Sequence, residues 1–199
     1  MNRASRLAMV AFAALALVGT STAYATTVLK MSLKDLARKS DAVVMARVED
    51  QVARYDADKE IYTYITLKVL DPVKGSHMDD LITIRQLGGI VGNIASVVPG
   101  MPTFQKGDEV VVFLTQRDKA GYPGIMGLQQ GKYTISQDQN GAKRVRNELN
   151  GTTLIDLSGR TSEGPKVSSD MPLQSFLDGI RTDLDEAGKV QVDPTPQTE

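Results

Sequence analysis

From Tyr62 to Val69 the chain alternates without a break, with Thr63, Ile65, Leu67 and Val69 on one side and Tyr62, Tyr64, Thr66 and Lys68 on the other. A period of two is the signature of a strand with one buried face. The segment before it behaves in the same way. In the strand from Ala42, loosely continued to Tyr55, Val44, Ala46 and Val48 point one way and Arg47 and Glu49 the other. Asp56 to Lys59 reads as the turn between them, so the pair predicts a long antiparallel hairpin. Asp71-Pro72 is expected to end it, because proline cannot donate to a ladder.

Further strands are predicted at Leu81–Arg85, at Glu109–Thr115, and over Gly127–Ser136 with Lys132–Ile135 as its core. The unbroken apolar run after Glu109 predicts burial on both faces. Asn140-Gly141 is a hairpin signal leading into Lys143–Arg146. These short, closely spaced strands predict a mainly β fold, a small OB-like antiparallel barrel of five or six strands occupying residues 26–147. A short helix leads it, with Ser32 as cap and Asp35 at the positive end. Residues 148–170, rich in Gly, Ser, Thr and Asn, read as linker or loop. Residues 171–188 read as a carboxy-terminal helix opened by Pro172 and ended by Gly188. Its stripe of Leu173, Phe176, Leu177, Ile180 and Leu184 is expected to dock on the barrel. Residues 189–199 read as a disordered tail.

The first 25 residues carry an address. Arg3 and Arg6 precede an uncharged stretch from Leu7 to Val18, and Ala23-Tyr24-Ala25 is a small-x-small end. That is the pattern of a secretory signal peptide cleaved after Ala25, with an apolar stretch too short for a bilayer span. The protein is therefore expected in the periplasm or outside the cell, with no membrane span after cleavage.

Composition excludes more chemistry than it supports. The chain has no Cys, one His, and 23 basic against 24 acidic residues among 199. Without Cys there is no disulfide framework, thiol nucleophile or Cys-ligated zinc, and one imidazole cannot make a two-His site. No metal or other cofactor is expected. The near-zero charge gives no reason to bind nucleic acid. Tyr62 and Tyr64 would be the stacking platform if it did. His77, with Asp79 or Asp80, reads either as a base–orienter pair or cation site, or as a solvated loop. Asp56 and Asp58 belong to a turn, where aspartate is expected for backbone reasons.

The unusual stretch runs from Gln86 to Gln105, twenty residues without a charge between Arg85 and Lys106. Ile90, Val91, Ile94, Val97 and Val98 are too many aliphatic residues for a solvated loop. They must cover the barrel end, meet a partner, or divide between the two. Gly88, Gly89 and Gly92 allow turns that expose some of them. Arg85, Gln86, Gln129 and Lys132 are the expected polar rim of such a contact.

Ser40–Val48, the hairpin ending Val69–Gly75, and Gly107–Leu114 together resemble the netrin-like module of tissue inhibitors of metalloproteinases, across Leu33 to Ile135. They look closer still to exported bacterial proteins, some associated with matrixin-type proteases. The resemblance implies an OB-type barrel and, as one function, inhibition or escort of a secreted metalloprotease. The amino-terminal Cys with which those inhibitors chelate zinc has no counterpart here. The expectation is a non-enzymatic, exported protein-binding module whose partner is an envelope or extracellular protein, a secreted protease being one candidate. A hydrolase or carbohydrate-handling enzyme using carboxylates is the alternative from another class.

Overall fold

The computed structural model describes residues 26–75, 79–149, 152–163 and 168–190. Residues 1–25, expected as a signal peptide, His77, and residues 191–199, expected as part of a tail, lie outside them. Among the described residues no helix is long and apolar enough to cross a membrane.

The fold is mainly β, with one helix before the central hairpin and one at the carboxy-terminal end. β1 (Thr26–Leu29) leads to α1 (Leu33–Lys39). β2 (Ala42–Tyr55) and β3 (Ile61–Lys74) form the long hairpin, followed by β4 (Leu81–Leu87). A small hairpin of β5 (Gly89–Val91) and β6 (Ile94–Ser96) precedes β7 (Glu109–Arg117) and β8 (Pro123–Ile125). A single 3-10 turn, Leu128–Gly131, then introduces β9 (Lys132–Gln137) and β10 (Lys143–Asn147). β11 (Thr152–Ile155), β12 (Thr161–Glu163) and β13 (Ser168–Pro172) run into α2 (Leu173–Val190).

The main sheet has the order β13-β10-β9-β7-β2-β3-β4, with β8 paired to the second half of β7. Each of its central strands feeds two cores. Val44, Ala46 and Val48 of β2 meet Ile65, Leu67, Ile82 and Ile84 on one face, with Val110, Val112 and Leu114 of β7. On the other face Val43, Val111, Phe113, Tyr133 and Val145 pack under Leu36 of α1 and Phe176, Leu177 and Ile180 of α2. This explains the unbroken apolar run of β7, whose alternate residues serve alternate cores. The Tyr133 ring lies 4.5 Å from that of Phe176, and burial pushes its phenol up to about 12.

The sheet curls so that β4 comes close to β8, yet no ladder joins them among the described residues, and a closed barrel is not formed by these pairings. β8 has only three residues and begins with Pro123, which lacks the N–H a closing ladder needs.

Several local expectations change. Pro72 does not end the hairpin: it pairs opposite Val44, between two register shifts, where β3 has already left β4 and has one free edge. The segment 148–170 is not a plain linker. β11 pairs in parallel with β1 and antiparallel with β12, and β13 adds to the edge of the main sheet. Alternation in these strands is too short to be seen among Ser, Thr and Asn. Pro172 closes β13 instead of opening the helix, and α2 continues past Gly188 to Val190. Residues 127–131 are not strand, because Gly127 and Leu128 are left-handed, at φ 69° and 57°. The buried Gln130 in this turn ties down the amino-terminal segment: Met31 N–H donates to its Oε1 at 2.9 Å, and its Nε2 donates to Leu29 O at 2.9 Å.

Three turns share one design. Asp118, Asp138 and Asp156 each receive two backbone N–H bonds on Oδ1 and are followed three residues later by a left-handed glycine, Gly121, Gly141 and Gly159. The Asn140-Gly141 connection is thus a longer turn organised by Asp138, with only the glycine at positive φ, and not a two-residue hairpin loop. The β2–β3 turn has the same backbone bonds, Asp56 N–H to Glu60 O and Lys59 N–H to Asp56 O, both 2.9 Å, but Lys59 stands where the others have glycine.

Candidate functional site

The uncharged stretch after Arg85 is divided by the fold. Its first half forms the β5–β6 hairpin, with Val91 opposite Ile94 and a tip at Gly92, where φ is 59°. Its second half turns inward, and Phe104 is buried in the first core. The hairpin is rooted on the β2–β3 ribbon through Gly89, where a Cβ would lie 2.5 Å from Thr63 Oγ1 and 2.8 Å from Ala53 Cβ. Thr63 Oγ1 in turn donates to Gly88 O at 2.7 Å. Held there, the hairpin leaves Ile90 70 %, Ile94 57 % and Val97 84 % exposed. Val91 and Val98 are half-buried.

The four residues expected as a polar rim have different roles. Arg85 is largely buried. It pairs with Asp56, and with Asp118 at 3.2 Å, and its guanidinium lies 4.1 Å from the Tyr62 ring centroid. It joins two turns and is not a free rim cation. Gln86 donates through Nε2 to Pro102 O at 3.0 Å, while its Oε1 is buried without a partner. Gln129 N–H donates to Gly100 O at 3.0 Å, so both glutamines hold the returning segment.

Lys132 is the one cation of the four that faces an opening. It begins β9, on the side opposite Tyr133, with Nζ 5.2 Å from the Phe104 ring centroid. Its cleft, of about 180 Å³, is also lined by Pro102, Thr103, Gln129, Thr134 and Glu148. Burial pushes the Lys132 ammonium below the usual lysine range, against the pull of Asp108 and Glu148. A second groove, of about 430 Å³, runs beside Ile90 over Gln51, Thr63, Gln86 and Phe104, and shares Pro102 and Thr103 with the first. The hairpin, the groove and the lysine cleft are therefore contiguous. Thr103 and Glu148 carried no signal in the sequence, since a threonine between Pro102 and Phe104 and an acid in a loop are both ordinary.

The other candidates do not converge. Tyr64 is buried edge-on to Tyr122, its face covered by Arg54 at 4.0 Å, and Arg85 covers Tyr62, so these two rings do not form an open stacking platform. Asp56 is engaged by Arg85, and the side chain of Asp79 is 82 % exposed. Among the described residues no group of three or more His, Cys, Asp or Glu is placed to hold a metal. The contiguous surface offers aliphatic area, amide and hydroxyl groups, one ammonium and the Glu148 carboxylate. No model of a known protein family matches the chain, and no curated protein matches it.

Proposed function

We propose that the chain is an exported, non-enzymatic protein-binding module whose contact surface is the β5–β6 hairpin with the adjoining groove. One observation carries this reading: three large aliphatic side chains are exposed within eight residues, Ile90 and Ile94 on the two faces of the hairpin and Val97 just after it, while the continuation of the segment, at Phe104, is firmly inside. Covering what Ile90, Ile94 and Val97 expose is worth about 3–6 kcal/mol at the usual value per side chain. The fold itself gains none of this. The curl of β8, β7, β2, β3 and β4 around the first core supports an OB-type reading of the architecture. Together with the netrin-like resemblance, it makes a secreted protease the first partner to try.

The test separates contact from folding. A photo-crosslinking residue is placed at Val97 and, as a control, at Leu157, which is 94 % exposed on the β11–β12 turn. A discrete cross-linked protein from position 97 and none from 157 is expected. Replacing Ile90 and Ile94 with Ser should remove it without lowering the unfolding temperature. Equal labelling from both positions, no labelling from 97, or a large loss of stability in the Ser variant overturns the reading.

A further inference from the structure

An aliphatic contact leaves one neighbouring group unexplained. Lys132 shares the wall of Pro102 and Thr103 with the groove beside Ile90. Among the described residues no carboxylate stands within ion-pair distance of its Nζ, whose close neighbour is the Phe104 ring. Glu148, the acid in the cleft wall, lies 3.6 Å from Arg146 Nε, and it and Asp108 attract the Lys132 ammonium without an ion pair to it. The groove beside Ile90 has no ionisable side chain in its lining, only amides, hydroxyls and apolar groups. A half-buried ammonium facing a ring and two threonines lacks the charge-assisted bond that would offset its lost hydration. A carboxylate brought from outside supplies that bond, and neutral or basic groups do not.

We infer that the occupant of this surface is an extended segment of a partner protein with aliphatic side chains and, a few residues away, an acidic one. The aliphatic part covers Ile90, on the face of the hairpin beside the groove, and the Asp or Glu carboxylate docks on Lys132. The inference rests on the proposed contact surface and adds the chemistry of what covers it. It makes Lys132 the selector of the partner's charge, and the hairpin the source of affinity.

The experiment selects a random-sequence peptide library, displayed on phage, against the full chain and measures the enriched peptides in solution. Enriched peptides should combine aliphatic residues with Asp or Glu, and exchanging the acid for its amide should weaken binding tenfold or more. Lys132→Met, which keeps the aliphatic stem over Phe104, should erase that difference. Lys132→Arg should keep it, and an unchanged unfolding temperature in both variants shows that the fold is intact. If peptides depend on Ile90 and Ile94 but are indifferent to the acid, or the preference survives Lys132→Met, the inference falls and the contact surface stands. If no enriched peptide loses binding when Ile90 and Ile94 become Ser, an extended segment is not the occupant. The cross-linking from Val97 then decides separately whether the surface binds a folded partner.

Discussion

Lys59 offers a substitution whose sign is opposite to that of most mutations. It sits at φ 61° in the β2–β3 turn, the position that Gly121, Gly141 and Gly159 occupy in the three related turns at φ 86°, 79° and 82°. A side chain in that region costs about 1–2 kcal/mol because Cβ crowds the following carbonyl. Lys59→Gly removes the strain and keeps the N–H bond to Asp56 O. Against it stands the greater freedom of glycine in the unfolded chain, about 0.4–1 kcal/mol. The net expectation is a stabilisation of about 0.5–1 kcal/mol, or a rise in unfolding temperature of about 1–4 °C for a chain of this size. Gly141→Ala is the mirror experiment. Its Cβ would meet nothing within 4 Å, so the whole cost is backbone, and a fall of similar size is expected. Paired urea unfolding curves measure both, with unchanged slopes showing that only stability moved. A Lys59→Gly variant less stable than the parent, or a neutral Gly141→Ala, refutes the argument that these turns are governed by the left-handed position.

Other consequences can be checked in the same assay. Gly131→Ala would place a Cβ 2.0 Å from Met126 O, backbone that cannot step aside, and a loss of about 3 kcal/mol or more is expected in urea unfolding. Gln130→Leu leaves Met31 N–H and Leu29 O without partners, and should cost about 1–3 kcal/mol. It should also speed hydrogen exchange through residues 26–31. Phe176→Ala empties the second core beneath α2, and a loss of about 3–5 kcal/mol should appear by urea unfolding. Glu109 is held below the usual carboxylate range by hydrogen bonds from Lys143 at 2.5 Å and Arg47 at 3.0 Å. Its folded pKa is lowered, so its contribution is complete above the unfolded value of 4.5 and is lost as the pH falls through the folded value. Glu109→Gln should therefore flatten the acid limb of a stability–pH curve, and an unchanged limb would contradict that assignment.

What the sequence shows of this fold follows the range of the interactions. The β2–β3 hairpin, β7 and the stripe on α2 are legible because each has a long period with one or two buried faces: Ile65 and Leu67 need only know that a core exists. The open edge at β4 is not legible, since closure depends on whether Pro123 meets β4, a contact between residues far apart in the chain. Nor are β11–β13, short strands rich in Thr, Ser and Asp with little to bury: β12 and β13 are sheet edges, and β11, between β1 and β12, buries Leu154. Arg85 looked like a rim residue because nothing local reveals that Asp56 and Asp118, in two different turns, both reach it.

The stretch from Gln86 to Gln105 shows the same limit within one segment. Its lack of charge is visible in the sequence, but the reason differs between its halves. At Phe104 the side chain belongs to a core built from strands between Ala42 and Leu114, and a charge there would carry the full cost of burial. At Ile90 and Val97 the side chains lie in water, and the fold would accept a charge at almost no cost. The stability of this chain therefore accounts for one half of its uncharged segment and not for the other. Ile90, which folding does not require, set beside the groove that adjoins an ammonium without an ion pair, is what the proposed partner segment would meet, with an aliphatic side chain for one and a carboxylate for the other.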